Sequence, residues 1–210
     1  MLRKAEIHQW VRVLIASFGK VRPAVPAEEF RSLYAKGKYT NMVSLVKNNL
    51  RLDMRLKVGY VNSGGPSKAP CWIVRPADMP MYGTSGFRKT IITMYVRKSF
   101  LAETTCDTFV AAIAHELSHI VLDSTMHNLR KIEEAVDLTA MLLGYHEFFL
   151  RGASYIKTES NQVVSKTHAK GTSLMETIRE VLQPRSVIQM NLGYLSKDEY
   201  RYASELMHRG

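Results

Sequence analysis

Cysteine is scarce in this sequence, since the 210 residues include only Cys71 and Cys106. Small secreted domains that are held together by disulfides use many more cysteines for their length. Two cysteines alone also cannot supply the four ligands of a cysteine-type zinc site. We therefore expect two buried free thiols and no disulfide framework.

The sequence also lacks long apolar runs. Its longest uncharged apolar run is well short of the roughly 20 residues that a membrane-spanning helix needs. The first stretch is interrupted by charged residues such as Glu6 and Arg12 and has no small-residue cleavage site, which does not fit a signal peptide. These absences predict a cytoplasmic protein without a transmembrane segment. No Pro- or Ser-rich linker is present either, so we expect a single domain over residues 1–210.

Acidic residues are also few: the sequence has 19 Asp and Glu but 29 Lys and Arg, which gives a net charge of +10. The excess lies in residues 1–60, which hold 12 basic and 4 acidic residues. Such a basic part could attract an acidic partner, nucleic acid or an anionic lipid surface. The basic residues alternate with apolar ones, however, which is typical of ordinary solvated faces. Charge alone leaves both interpretations open.

The apolar pattern at the start of the chain predicts helices. Apolar residues recur at helical spacing before Gly19, and two further short helices are expected over residues 27–36 and 40–50. The apolar positions of the first helix are Ile7, Trp10, Val11, Leu14 and Ile15.

From Leu52 the period of the pattern changes from that of a helix to that of a strand. Apolar and polar residues alternate up to Tyr60, and the following run NSGGPSKAP is rich in turn residues. The first strand is therefore expected to form a hairpin with CWIVRP, residues 71–76. After a loop, DMPMYGTSG, the run RKTIITMYVR is expected to be a third strand that ends at residue 97.

A buried amphipathic helix is predicted next, over residues 107–122, with Thr105 or Asp107 as its N-cap. This helix contains the stretch HELSH, residues 115–119. Its apolar stripe is formed by Val110, Ile113, Ala114, Leu117, Ile120 and Val121.

His115 and His119 lie one turn apart on one face of that helix, so both imidazoles can bind one metal ion. Glu116 follows His115 directly, where its carboxylate can deprotonate a water bound to that metal. Zinc would lower the pKa of the water towards neutrality, and the hydroxide would attack a polarised carbonyl. In a chain of this composition, His-Glu-x-x-His is expected by chance roughly 0.014 times. The motif thus predicts a zinc hydrolase, and a core helix with two satisfied histidines is the alternative.

The best candidate for the third ligand is in a second helix, which is expected to start after Asn128. If the two helices form an antiparallel hairpin, Glu133 faces His119 at the same height. Asp137 then lies one turn deeper, level with His115, where it can fix the tautomer of a ligand imidazole. The predicted zinc ligands are His115, His119 and Glu133, and the predicted general base and acid is Glu116.

Other third ligands are weaker candidates. The metzincin pattern needs a histidine six residues after the second one, but that position is Thr125. His127 lies in the connection between the helices, and loop histidines are usually solvated. Asp123, at the end of the first helix, is weaker still. Glu134 points about 100° away from Glu133 on its helix and is the fallback ligand.

HELSH followed by EEAVDLTA resembles the gluzincin zinc metallopeptidases, whose second motif, Glu-x-x-x-Asp, is matched by Glu133 and Asp137. The order of a strand, a loop and the two motifs over about residues 88–150 is most similar to the ImmA/IrrE-type and minigluzincin peptidases. The resemblance implies a zinc-dependent endopeptidase. In those families the upstream strand is an edge strand that binds the substrate backbone, which here assigns Ile91–Val96 to a protein or peptide substrate.

The expected fold class is α+β and zincin-like, with a small antiparallel-containing sheet packed on the helix hairpin of the active site. Residues 1–50 form the helical N-terminal part, and residues 51–150 form the sheet and the metal-site helices. Residues 173–210 form C-terminal helices near 173–183 and 196–208, the latter with Ser196 as a plausible N-cap.

Two features of the function stay open at this point. Stabilisation of the tetrahedral oxyanion is expected from a side chain whose identity the sequence does not select, and the candidates are Tyr145, His127, His146 and His168. The alternative to a peptidase is a non-catalytic, metal-stabilised regulatory or interaction protein that uses the basic N-terminal surface.

Overall fold

The computed structural model describes residues 3–66, 69–152, 154–158, 187–191 and 194–209. The chain falls into two compact units, one of residues Met1–Tyr155 and Asn191–Gly210 and one of residues Ile156–Met190. The first unit is an α+β structure that contains the candidate site. The predicted helix near 173–183 and the candidate His168 lie outside the described residues.

Three helices form the N-terminal part, as the apolar pattern predicts: α1 (Lys4–Phe18), α2 (Ala27–Ala35) and α3 (Tyr39–Asn49). Helix α1 buries Ile7, Val11 and Leu14, each at most 2% exposed. Burial of one such side chain contributes about 1.5–3 kcal/mol, which holds the helix on the core. The helix ends at Gly19, whose φ of +84° is readily accessible only to glycine.

The sheet has three strands, β1 (Arg55–Val61), β2 (Cys71–Val74) and β3 (Ile91–Arg97), in the order β1-β3-β2. Strand β3 pairs in parallel with β1 and antiparallel with β2. The predicted hairpin between the first two strands is therefore wrong. The connection over residues 62–70 is longer than the roughly two to five residues of a tight hairpin, so it does not force β1 and β2 to be neighbours.

The central position of β3 also corrects the prediction that Ile91–Val96 binds peptide as an edge strand. Every second residue of β3 is buried, namely Ile92, Met94 and Val96, and its backbone is paired on both sides. No edge of β3 is left to which another strand could add. Among the described strands, β1 and β2 are the edges of this sheet.

Short helices flank β3, which the sequence pattern did not predict: α4 (Ser85–Lys89) precedes it and α5 (Lys98–Glu103) follows it. The long helix α6 (Cys106–Ser124) comes next and carries HELSH. Its N-cap is Thr105, whose hydroxyl accepts a hydrogen bond from the backbone N–H of Thr108. The whole predicted apolar stripe of α6 is buried, and the helix packs against β2, α3 and the helices that follow.

The second helix of the predicted hairpin starts later and is less continuous than expected. Turns lead up to α7 (Glu133–Ala140), which continues through a π-helical turn (Met141–Tyr145) into α8 (His146–Gly152). Gly144 has a φ of +105°, and a Cβ at this position would lie 2.8 Å from the carbonyl oxygen of Pro23. The backbone N–H groups of Arg22 and Val25 donate to carbonyl oxygens of this turn. The segment between α1 and α2 therefore occupies the space that a regular helix would need.

Two short strands, β4 (Ser154–Thr158) and β5 (Val187–Asn191), pair with each other in a separate sheet. Helix α9 (Lys197–Arg209) then packs against α1 and α8. Ser196 caps it as predicted, because its hydroxyl accepts from the Glu199 N–H while the Glu199 carboxylate accepts from the Ser196 N–H.

Both cysteines are free thiols, as expected, although only Cys71 is fully buried and Cys106 is half-buried. Burial raises the pKa of the Cys71 thiol well above its usual value. In the described part of the chain, every helix is too short or too polar to cross a membrane.

Candidate metal centre

The side chains of His115, His119 and Glu133 meet where α7 begins beside α6. The Nε2 atoms of His115 and His119 lie 3.4 and 3.3 Å from Oε2 of Glu133. All three potential ligand atoms lie within 4.8 Å of one another, so the group could hold one metal ion. It is the only such cluster of His, Cys, Asp or Glu side chains among the described residues. The structure thus brings the three predicted ligands together.

Asp137 orients one of these imidazoles. Its Oδ1 lies 2.7 Å from Nδ1 of His115, as expected for a residue one turn further along α7 than Glu133. Donation of the Nδ1 proton to this carboxylate leaves Nε2 of His115 free to bind a metal. The other oxygen, Oδ2, accepts hydrogen bonds from the backbone N–H of Tyr194 and from the hydroxyl of Tyr200. Asp137 is fully buried, and all of its acceptor groups have partners.

The electrostatics of this cluster favour positive charge between the carboxylates. Burial alone would lower the pKa of His115, but hydrogen bonds to Asp137 and Glu133 outweigh it and raise the pKa to about 10. Hydrogen bonds from His115 and His119 hold the pKa of Glu133 well below its usual value. A divalent cation would supply the same positive charge, so the cluster is electrostatically suited to a metal.

The ligand set also fits a catalytic metal site. Two imidazoles and one carboxylate are typical of catalytic zinc, which keeps a further position open for water or substrate. The Glu133 side chain is 40% exposed, and those of His115 and His119 are 11% and 13% exposed. The centre is therefore open to solvent on one side.

Glu116 lies beside this cluster on the same helix. Burial raises the pKa of its carboxyl above the usual value, although the neighbouring imidazoles of His115 and His119 act in the opposite direction. The backbone N–H of Ile73 in β2 also faces the carboxylate and favours its charged form. A partly desolvated carboxylate of this kind holds a proton more readily than an exposed one, which suits it to both accept and return a proton.

The alternative third ligands all have other partners. His127 is bonded through Nε2 to the Ser17 hydroxyl at 3.0 Å and stacks on the ring of Phe18. The Asp123 carboxylate lies 2.7 Å from the Nε atom of Arg75. Glu134 forms an ion pair with Arg3. None of these three carboxylate or imidazole groups belongs to the cluster around Glu133.

The sequence interpretation missed a tyrosine that contacts the cluster. The ring of Tyr194 stacks on His115, with ring centroids 5.5 Å apart and an angle of 21° between the planes. Of the predicted oxyanion stabilisers, Tyr145 is buried with its hydroxyl on the Val46 carbonyl oxygen, and His146 packs against His208. Tyr194 lies far along the chain from both motifs, shortly before α9, so no periodicity or spacing pointed to it.

The candidate centre therefore combines three convergent metal-ligand side chains, an orienting carboxylate and an adjacent glutamate. Comparison with known proteins adds no independent assignment: no protein-family model, no curated protein and no solved structure matches this chain.

Proposed function

We propose that this protein is a zinc-dependent peptidase of the gluzincin type with a zincin-like fold. The observation that carries the proposal is the convergence of His115, His119 and Glu133 within 4.8 Å, directly beside Glu116. A core helix with two structural histidines would not need a partly exposed carboxylate between both imidazoles. Asp137 on Nδ1 of His115 adds the outer carboxylate that is typical of catalytic zinc sites.

Zinc is the metal that this ligand set favours, since imidazole nitrogen and a single carboxylate suit it better than they suit magnesium or calcium. When bound, zinc supplies a lowered pKa for a coordinated water and polarises the carbonyl of the substrate.

Glu116 is the residue that moves the proton in this proposal. Its carboxylate accepts the proton of the attacking water and returns it to the nitrogen of the leaving amine. Burial raises the pKa of Glu116, which makes the return of the proton easier than it would be from an exposed glutamate. The Ile73 N–H keeps the charged form accessible, so both halves of the transfer remain possible.

The substrate side of the site is the edge of β2. This strand lies next to α6, its Ile73 faces Glu116, and Val74 at its end is 54% exposed. An extended peptide could pair with this edge and bring a carbonyl to the metal centre. Beyond it, Arg75 and Asp123 line a cavity of about 440 Å³ that could receive a substrate side chain.

The test is Glu116→Gln, with metal content and peptide cleavage measured on the same preparation. We expect about one zinc per chain in both proteins, and a loss of cleavage of at least about 100-fold in the variant. Glu147→Gln, a change of a half-buried glutamate on α8 that pairs with Arg151, is the matched control and should keep both properties.

Two results would contradict the proposal in different ways. Wild-type protein that takes up no zinc from solution would leave HELSH as a core motif. Protein that binds zinc but cleaves nothing in a broad peptide library would favour the metal-stabilised interaction protein. Equal cleavage after Glu116→Gln would instead refute the role of Glu116 in proton transfer.

A further inference from the structure

The segment from Tyr194 to Tyr200, near the C-terminal end of the sequence, contacts the candidate metal centre. The Tyr194 N–H and the Tyr200 hydroxyl donate to Oδ2 of Asp137 over 2.8 and 2.5 Å. The ring of Tyr194 covers one face of the His115 imidazole. These three contacts all act on the pair formed by Asp137 and His115.

The geometry limits how Asp137 can move. Asp137 and Tyr200 are both 0% exposed, so no water replaces a lost hydrogen bond without rearrangement. Oδ1 is bonded to His115 and Oδ2 is held by two donors, so the carboxylate is fixed from both sides. A carboxylate that cannot rotate also fixes the imidazole that donates to it.

We infer that Tyr200 is a positioning residue of the metal centre. Its hydroxyl holds Asp137 in the orientation that keeps Nε2 of His115 turned towards the metal. Only one of the two imidazoles is oriented in this way, because Nδ1 of His119 has no hydrogen-bond partner among the described residues. The inference rests on the metal-binding part of the proposed function and is independent of peptide cleavage.

Arg3, just before α1, also contacts the segment from Tyr194 to Tyr200. A guanidinium nitrogen of Arg3 donates to the carbonyl oxygen of Tyr194 over 3.1 Å. Arg3 also forms ion pairs with Glu134 on α7 and Glu199 on α9. The metal centre and the docking of α9 should therefore be coupled, and the coupling must be reciprocal: bound metal stabilises the docked helix as much as the docked helix strengthens metal binding.

Tyr200→Phe tests the inference by removing one hydroxyl from the buried interior. We expect the dissociation constants of Zn²⁺ and Co²⁺, measured by competition with a chromophoric chelator, to rise about tenfold, the lower end of outer-shell effects. The visible spectrum of the Co²⁺ form should change as well, because the position of His115 changes.

The matched control is Tyr34→Phe. The Tyr34 hydroxyl donates to the Thr104 carbonyl oxygen over the same distance, 2.5 Å, but near the start of α6, before Cys106. About ten residues of helix, roughly 15 Å, separate that end from His115. The control should lose similar stability while its metal affinity stays within about twofold of the wild type, a change well below outer-shell effects.

A second measurement applies if Tyr200→Phe does not fold. In the wild-type protein, Zn²⁺ should slow amide hydrogen exchange over residues 197–209 by about tenfold or more, as reciprocal coupling requires. Equal metal affinity in Tyr200→Phe and wild type, or exchange in α9 that does not respond to bound zinc, would overturn the inference and leave the metal site intact. Wild-type protein that binds neither metal would instead refute the proposed function.

Discussion

Two pairs of histidine rings in this protein have nearly the same geometry, yet only one of them belongs to a candidate metal centre. The rings of His115 and His119 lie 5.0 Å apart at 87°, and those of His146 and His208 lie 4.9 Å apart at 80°. The first pair shares Oε2 of Glu133 at 3.4 and 3.3 Å. In the second pair, Nδ1 of His208 bonds to the backbone of its own helix, 2.7 Å from the Ser204 carbonyl oxygen.

One histidine of each pair has a shifted pKa, and the two shifts have opposite directions. At His115 the hydrogen bonds to Asp137 and Glu133 overcome the effect of burial and raise the pKa to about 10. At His146 burial and the adjacent His208 lower the pKa. The surroundings of His115 therefore favour its charged form, and those of His146 favour its neutral form. Close imidazoles alone do not make a cation site; a carboxylate directed at both of them does.

Among the substitutions considered, removal of the carboxylate shared by His115 and His119 should have the largest effect on zinc affinity. In Glu133→Ala the two imidazoles of the first pair lack a shared carboxylate, as those of the second pair do, although Asp137 still bonds to His115. We expect affinity for zinc to fall by more than about 100-fold, beyond the usual range for outer-shell changes. Zinc content after dialysis and competition with a chelator would measure it.

The neighbouring glutamate provides the control for this prediction. Glu134→Ala removes one ion-pair partner of Arg3 on the same turn of α7 and should lower zinc affinity far less than Glu133→Ala does. If Glu134→Ala lost zinc and Glu133→Ala kept it, the ligand assignment would have to be exchanged between the two residues.

Asp137→Asn should have the next largest effect. The amide keeps the shape of the side chain but directs an NH₂ group at one of the three donors that now meet the carboxylate. We expect zinc affinity to fall about 10- to 100-fold and the free energy of unfolding to decrease by about 1–3 kcal/mol. Urea unfolding of the metal-free protein separates the second effect from the first.

Asp107→Asn is a suitable control, because Asp107 lies in the first turn of α6 and forms a looser ion pair with Arg151 at 3.5 Å. It should change neither property appreciably. Zinc affinity of Asp137→Asn within about twofold of the wild type would mean that His115 does not need an orienting carboxylate.

The cluster of His115, His119, Glu133 and Asp137 could be predicted because helical spacing fixes relative height. Residues four apart share a face, so the count from the helix ends placed Glu133 opposite His119 and Asp137 opposite His115. The prediction of these contacts held although α7 starts later than expected, because the spacing between Glu133 and Asp137 does not depend on where the helix begins. Tyr194 and Tyr200 could not be predicted in this way, since their contacts with Asp137 depend on how α9 packs, and sequence separation says nothing about that.

The order of the strands in the sheet also could not be predicted from local sequence patterns. Apolar alternation identified β1 and β-propensity identified β3 as strands, but both signals are the same for a central and an edge strand. Which strands are neighbours depends on the path of the connections, and the turn-rich residues 62–70 suggested a hairpin that does not form. The interruption of the second helix at Gly144 also depends on a distant segment, because Pro23 occupies the space where a side chain would lie.

His146→Phe should have the smallest effect and concerns the second pair alone. Because the pKa of His146 in the folded protein is below the value of about 6.5 in the unfolded chain, the unfolded state binds more protons as the pH falls. Its contribution to stability is therefore complete above about pH 6.5 and is lost as the pH decreases through the folded-state pKa. The groups around it are His208, Glu147 and Arg151.

Phenylalanine keeps a ring against His208 and removes this titration, so the free energy of unfolding should fall less steeply below about pH 6.5 than in the wild type. Urea unfolding across this range would measure the slope, and zinc content at neutral pH should not change. An unchanged slope would mean that His146 is already charged in the folded state, and a loss of zinc would mean that the second pair contributes to the metal centre. Either result would remove the contrast between the two pairs, because that contrast depends on acids that favour a charged His115 and on burial that favours a neutral His146.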